Sequence, residues 1–260
     1  MFIQKSLFLP LCVIGLLCGI AWGDQQQPTG PFVFGYANKL SCVPGETLSF
    51  HLSSSSPRVR VAIQRSGATD EVVFDKENIV CFAQAIPDRA SSDGCGWKPS
   101  FKMTIPRDWR SGCYVATVTP MDGDGRTNET IQFVVRSANP GKDTRILLQL
   151  ATNTYNAYTN WGGHSLYSYH DRDGLQGHRV SFDRPLTSQF GKWESPFVRW
   201  AESNGYTIDY AVNSDLESHP EILQHYRLVL SVGHDEYWSA TMRDNLEKYI
   251  ADGGNVAFFS

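Results

Sequence analysis

The sequence predicts two unlike units in one chain: an antiparallel β-sandwich over 31–138, then the opening strands and helices of a parallel α/β domain over 144–260. Two observations carry this expectation. Up to about Arg136 the apolar residues alternate in short runs divided by turn residues, the period-two signature of half-buried antiparallel strands. Beyond Asn139-Pro140-Gly141-Lys142-Asp143, which reads as a linker, the apolar runs become continuous and helix signals separate them, as strands buried on both faces require.

Ahead of the sandwich, 1–23 combine Lys5, the apolar run Leu7 to Leu17 and a small-x-small site at Ala21-Trp22-Gly23, which reads as a secretory signal. An uncleaved membrane anchor is the alternative reading. Pro10, Gly15, Gly19 and the polar Asp24-Gln25-Gln26-Gln27 favour cleavage, a mature start near Asp24 and an extracellular location. No later segment has the roughly 20 apolar residues that a span needs. With 41% hydrophobic and 19% charged residues in 260, the chain can bury a substantial core. Its net charge of −4, without a concentrated basic face, gives no reason to expect nucleic acid or an anionic membrane surface as partner.

Cleavage leaves four cysteines, Cys42, Cys81, Cys95 and Cys113, which admit three pairings. Export to an oxidising compartment predicts two disulfides. Cys81–Cys95 would close a short Gly-containing loop, and Cys42–Cys113 would tie an early strand to a late one. The absence of a Cys-x-x-Cys or Cys/His pattern argues against structural zinc. Asn128-Glu129-Thr130 is a glycosylation acceptor pattern.

Within the sandwich, strands are expected at Thr47–Leu52, Val59–Ile63, Tyr114–Val118 and Ile131–Val135. Ser111-Gly112-Cys113-Tyr114 reads as the corner entering a late strand of an immunoglobulin-like fold, where a tyrosine hydroxyl bonds back to the backbone. In the second unit, strands are expected at Arg145–Leu150, Thr207–Ala211, Arg227–Val232 and Asn255–Phe259. A helix opened by Ser195-Pro196 and closed by Asn204-Gly205 separates the first two, and one capped by Ser239 and closed by Gly253-Gly254 precedes the last. Strand and helix in repetition give a partial doubly wound sheet of flavodoxin or glutamine-amidotransferase type. The connection from Asn153 to Trp193, rich in Tyr, Trp, His and Asp, far exceeds the usual two to six residues and is expected to be functional. A chain reaching only its fourth parallel strand is expected to be part of a longer protein.

Ligands of open parallel sheets bind beyond the carboxyl ends of the strands. Here that edge carries Asn153-Thr154-Tyr155-Asn156-Ala157-Tyr158 after the first strand and Gly233-His234-Asp235-Glu236-Tyr237-Trp238 after the third. His234 and Glu236 can supply a base and a metal ligand together. Each residue has a structural reading as well: Asp235 and Glu236 as acidic groups before a helix start, His234 as a core histidine, Tyr155 as packing. Neither a Gly-x-Ser-x-Gly elbow, nor a phosphate-binding loop, nor His-Glu-x-x-His occurs, and no cysteine stands at a strand end.

The stretch Asn153 to Tyr158 with Trp161-Gly162-Gly163, then Ser181-Phe182-Asp183-Arg184-Pro185 and Gly233 to Trp238, resembles the large subunit of N,N-dimethylformamidase and its relatives over roughly 105–260. The resemblance implies one mononuclear Fe(III) held by two tyrosines and a glutamate, which fall on Tyr114, Tyr155 and Glu236, with a catalytic histidine beside it at His234. Phenolate and carboxylate oxygens suit a hard ferric ion. For Tyr114 the structural alternative is the tyrosine corner. The resemblance also implies a small amide substrate, a small partner subunit or an oligomer, and further active-site residues past the matching region, including an asparagine and a glutamate. An iron-dependent amidohydrolase, incomplete in this chain and so a weak iron binder without turnover, is the expectation. The alternative is a secreted, non-catalytic carbohydrate- or peptide-binding protein using the aromatic loop from Tyr155 to Tyr169.

Overall fold

Alternating side chains build the first unit in the computed structural model, which describes residues 28–123, 125–170 and 174–259; the expected signal peptide lies outside them. In chain order its elements are β1 (Val33–Ala37), β2 (Ser41–Cys42), β3 (Thr47–Ser54), β4 (Arg58–Ser66), β5 (Glu71–Val80), helix α1 (Ala90–Asp93), β6 (Phe101–Thr104), β7 (Gly112–Pro120) and β8 (Glu129–Val135). A three-stranded sheet, β1-β3-β6, faces a five-stranded sheet, β2-β8-β7-β4-β5. Leu48, Phe50 and Leu52 of β3 pack against Val59, Val61, Ile63, Ala116, Val118 and Phe133 of the opposite sheet. Burying each such side chain contributes about 1.5–3 kcal/mol.

Period two also decides what the outer face of the five-stranded sheet does. On β7, Tyr114, Ala116 and Val118 point into the sandwich, whereas Cys113 turns the other way and joins Val134 beneath the second unit. That unit holds β9 (Ile146–Leu150), α2 (Thr152–Tyr158), α3 (Glu194–Ser203), β10 (Asp209–Val212), α4 (Asn213–Ser218), β11 (Leu228–Val232), α5 (Ala240–Ala251) and β12 (Asn255–Phe259). Its four strands are all parallel, in the order β10-β9-β11-β12. Leu148, Leu150, Tyr210 and Val212 pack with Cys113 and Val134, so the two units share a core. A largely buried ion pair, Arg65 Nη2 to Glu202 Oε1 at 2.7 Å, ties β4 to α3. Ser41 Oγ donates to Asp215 Oδ1 at 2.7 Å and ties β2 to α4.

Local signals set the helix ends. Pro196 stands in the first turn of α3, where its missing N–H costs nothing, and Gly205 takes a positive φ of 81° after its end. The Ser239 hydroxyl accepts from Met242 N at 3.1 Å and caps α5. The sequence missed α2, which begins two residues after β9. Its composition of Thr, Asn and Tyr has weak helix propensity, and burial of Thr154, Tyr155, Asn156 and Ala157 holds it instead.

The expected disulfides do not form. All four described cysteines are buried free thiols. Cys42 belongs to the sandwich core and Cys113 to the opposite face of the same sheet, with β8 running between β2 and β7. Cys81 likewise sits in the sandwich core, while Cys95 packs with Tyr36, Ala90 and Trp97 in a separate cluster. Burial pushes the Cys42 and Cys95 thiols up to about 12, so they are protonated core groups. Asn128 is exposed just ahead of β8.

Candidate active site

The strand order reverses around β9: β10 lies on one side of it and β11 on the other. Chains leaving β9 and β11 therefore part at their carboxyl ends and open a crevice between them, the usual ligand position in such sheets. Helix α2 leaves β9 there, and Gly233 turns the chain out of β11 with a φ of 82°, a conformation that favours glycine. Trp193 packs against that glycine so closely that an added Cβ would fall 2.3 Å from its side chain.

Four side chains meet in the crevice. Tyr158 Oη donates to Glu236 Oε2 at 3.0 Å and lies 3.0 Å from His234 Nε2, and Tyr167 Oη donates to the same Glu236 oxygen at 2.5 Å. His234 Nε2 is also 3.0 Å from Glu236 Oε2. The His234 and Glu236 side chains remain 40% and 42% exposed, so the cluster is open to a small molecule. Aromatic rings surround it: Tyr158 and Tyr167 lie 4.2 Å apart between centroids, with Tyr169 5.2 Å and Tyr237 6.2 Å from Tyr167.

Electrostatics match the geometry. The hydrogen bond from Tyr167, joined by those from Tyr158 and His234, holds the Glu236 carboxyl below its ordinary range despite some desolvation. Burial, then the hydrogen bond to Glu236, pushes the Tyr167 phenol up. For Tyr158 the contact with Tyr167 pulls downward, but desolvation and the bond to Glu236 outweigh it and leave the phenol at about 12. Two protonated phenols thus serve one carboxylate.

The sequence-derived residues are only partly brought together. His234 and Glu236 meet as expected of one strand end. Tyr155 sits on the same helix as Tyr158 but is 3% exposed, and its hydroxyl donates to Glu194 Oε1 beneath the crevice. Glu194 is fully buried, and desolvation raises its carboxyl to about 7. Tyr114 lies on the sandwich side of β7, donating to Arg110 O at 2.7 Å and stacking on Trp109 at 4.7 Å. It is thus bonded as a tyrosine corner, away from the Tyr158–Glu236 cluster. The tyrosines that do reach Glu236, Tyr158 and Tyr167, lay in motifs already conspicuous for aromatic residues. Only the turn of α2 distinguishes Tyr158 from Tyr155, and a helix read as a loop hides that turn.

Beneath the cluster a polar lattice joins three strand ends. Ser231 Oγ donates to Asp235 Oδ2 at 2.8 Å, Asn213 Nδ2 to Asp235 Oδ1 at 3.3 Å, and Asn153 N to Asn213 Oδ1 at 2.8 Å. Arg184 is fully buried and donates only to neutral oxygens: Ser181 O, Trp161 O, Thr159 O, Asn156 O and Asn156 Oδ1. Nε meets one of these acceptors, Nη1 one, and Nη2 the other three. They lie at both ends of the loop that carries Tyr167.

Together these features define a class: a parallel α/β protein fused to a β-sandwich, with a phenol–carboxylate–imidazole cluster at the strand-order reversal. The chain belongs to the N,N-dimethylformamidase beta subunit-like family, whose C-terminal region matches residues 60–260. It is 28% identical over 212 residues to the N,N-dimethylformamidase beta subunit of an Alcaligenes species, covering 65% of this chain and 27% of that one. The beta subunit of Paracoccus aminophilus is 27% identical over 214 residues, with the same coverages of 65% and 27%. The chain therefore spans about 27% of the length of these relatives. Among solved structures, the sporulation control protein Spo0M of Bacillus subtilis matches at 11% identity with a TM-score of 0.28, over 44% of this chain and 51% of that one; so low a score carries no argument.

Among the described residues no three His, Cys, Asp or Glu side chains are grouped to hold a metal. No helix among them is long and apolar enough to cross a membrane.

Proposed function

We propose that the crevice is the iron site of an amidohydrolase of the N,N-dimethylformamidase type, acting on a small amide C–N bond. The observation that carries this reading is the convergence of Tyr158, Tyr167 and Glu236, with His234 within 3.0 Å of both Tyr158 and Glu236. Two phenols and a carboxylate are hard oxygen donors and fit a ferric ion. Their protons fit it too, because a bound cation reverses the repulsion that keeps a phenol protonated beside a carboxylate. Tyr158, Tyr167 and Glu236 would hold such an ion, which would supply Lewis acidity toward an amide carbonyl and toward water.

The chain's own residues supply the rest of the chemistry. His234 Nε2, at the edge of the cluster, takes a proton from the attacking water and returns one to the departing amine nitrogen. Tyr158, Tyr167 and Tyr237 present ring faces against which a small neutral amide is held while its carbonyl points at Glu236. The relatives are named as beta subunits, which supports a partner subunit for this chain as well. The 2-1-3-4 order of the parallel strands supports a flavodoxin-like second unit, and the Tyr114–Arg110 bond supports an immunoglobulin-like first one. Secretion and glycosylation at Asn128 remain part of the proposal.

Ferric titration followed by visible absorption tests it. Phenolate bound to Fe(III) gives a charge-transfer band, and a small amide such as N,N-dimethylformamide is expected to shift it. A chain that stays colourless and iron-free after titration at high protein concentration overturns the proposal.

A further inference from the structure

We infer that Thr154 is the positioning residue for Glu236, and that helix α2 grips this one residue at two points. Thr154 and Tyr158 are four residues apart on α2 and so lie on the same face, one turn above the other. The upper contact is the Tyr158 hydroxyl on the Glu236 carboxylate at 3.0 Å. At the lower contact the Thr154 hydroxyl oxygen accepts from the backbone N–H of Glu236 at 2.9 Å and from that of Tyr237 at 3.3 Å.

Thr154 is fully buried, so water cannot replace its oxygen, and loss of that acceptor strands two backbone donors. Those donors belong to the turn between β11 and the Ser239 cap of α5, which β12 engages at its first residue, Gly233 N donating to Phe259 O at 2.8 Å. Asn153 adds a third tie to the same turn, its Nδ2 donating to Tyr237 O at 3.2 Å. Helix α2 therefore fixes the backbone from which Glu236 projects as well as the carboxylate itself. A turn free to shift would carry the carboxylate away from Tyr158 and Tyr167, and errors of about 1 Å at such a site cost large factors.

The inference rests on the proposed iron site for its consequence and on the hydrogen bonds alone for its geometry, and the test separates the two. Thr154→Val keeps the shape and removes the acceptor; Thr154→Ser keeps the acceptor. Hydrogen exchange at the Glu236 and Tyr237 amides is expected to accelerate roughly tenfold or more in Thr154→Val and to stay near wild type in Thr154→Ser, since one lost buried bond is worth about a factor of ten. Ferric affinity, read from the charge-transfer band, is expected to fall by a similar factor in the valine variant and to recover in the serine variant. Unchanged exchange in Thr154→Val overturns the grip. Faster exchange with unchanged ferric affinity overturns the positioning role. If the wild-type chain gives no band at all, the iron reading fails while the exchange result still decides the grip.

Discussion

The sandwich and the strand-end crevice fold by opposite means. The sandwich buries hydrocarbon almost throughout, with Leu48, Phe50, Leu52, Ile63 and Phe133 all at or below 1% exposure. The second unit buries Gln149, Thr152, Thr154, Asn156, Arg184, Glu194, Asn213 and Ser231 instead, all close to the ends of its strands or in the connections that leave them. Polar groups buried this way add little net stability, since each merely replaces bonds to water, but each has few alternative arrangements. The first region is built for stability, the second for the placement of four side chains.

Truncation in the sandwich should have the largest effect. Phe50→Ala is expected to cost about 3–5 kcal/mol in urea unfolding, through lost transfer energy and a cavity. The ferric band per folded molecule should be unchanged, and a band lost in step with stability would erase the distinction between the regions. Arg184 is the harder case. Arg184→Lys keeps the charge but has three donors for five acceptors, and is expected to cost on the order of 3 kcal/mol. It should also expose the loop carrying Tyr167 to limited proteolysis; a fully protected loop would mean that the guanidinium does not close it.

Glu194 sharpens the comparison through pH. Its folded-state carboxyl is raised to about 7 from an ordinary 4.5, so the folded protein holds more protons than the unfolded chain between those values. The contribution is fully present below about 4.5 and is lost as pH rises through about 7, for a total on the order of 3 kcal/mol. Glu194→Gln should flatten the stability profile over that interval, and a variant with the wild-type slope would remove Glu194 as its source. The smallest effect belongs to the surface. Lys248 and Asp252 pair at 2.7 Å with side chains 74% and 64% exposed, and Asp252→Asn should change stability by less than about 0.5 kcal/mol.

The same contrast explains what the sequence made legible. Alternation exposed β3, β4, β7 and β8, and continuous apolar runs exposed β9, β11 and β12, because hydrophobic burial writes its period directly into the chain. His234 and Glu236 were legible as charged residues at a strand end. Tyr158, Tyr167, Thr154 and Glu194 were not, because their partners lie 39 to 82 positions away and no local pattern records such pairings. The cysteines misled for a related reason: spacing and an export signal say nothing about which face of a sheet a thiol occupies.

In the proposed iron site Tyr158 and Tyr167, rather than Tyr155 and Tyr114, supply phenolate beside Glu236. Single tyrosine-to-phenylalanine variants at the four positions, each titrated with ferric iron and followed by its charge-transfer band, test this most directly. Tyr158→Phe and Tyr167→Phe are each expected to weaken or shift the band, while Tyr155→Phe and Tyr114→Phe keep it. A band lost in Tyr155→Phe or Tyr114→Phe and intact in the other two would contradict it.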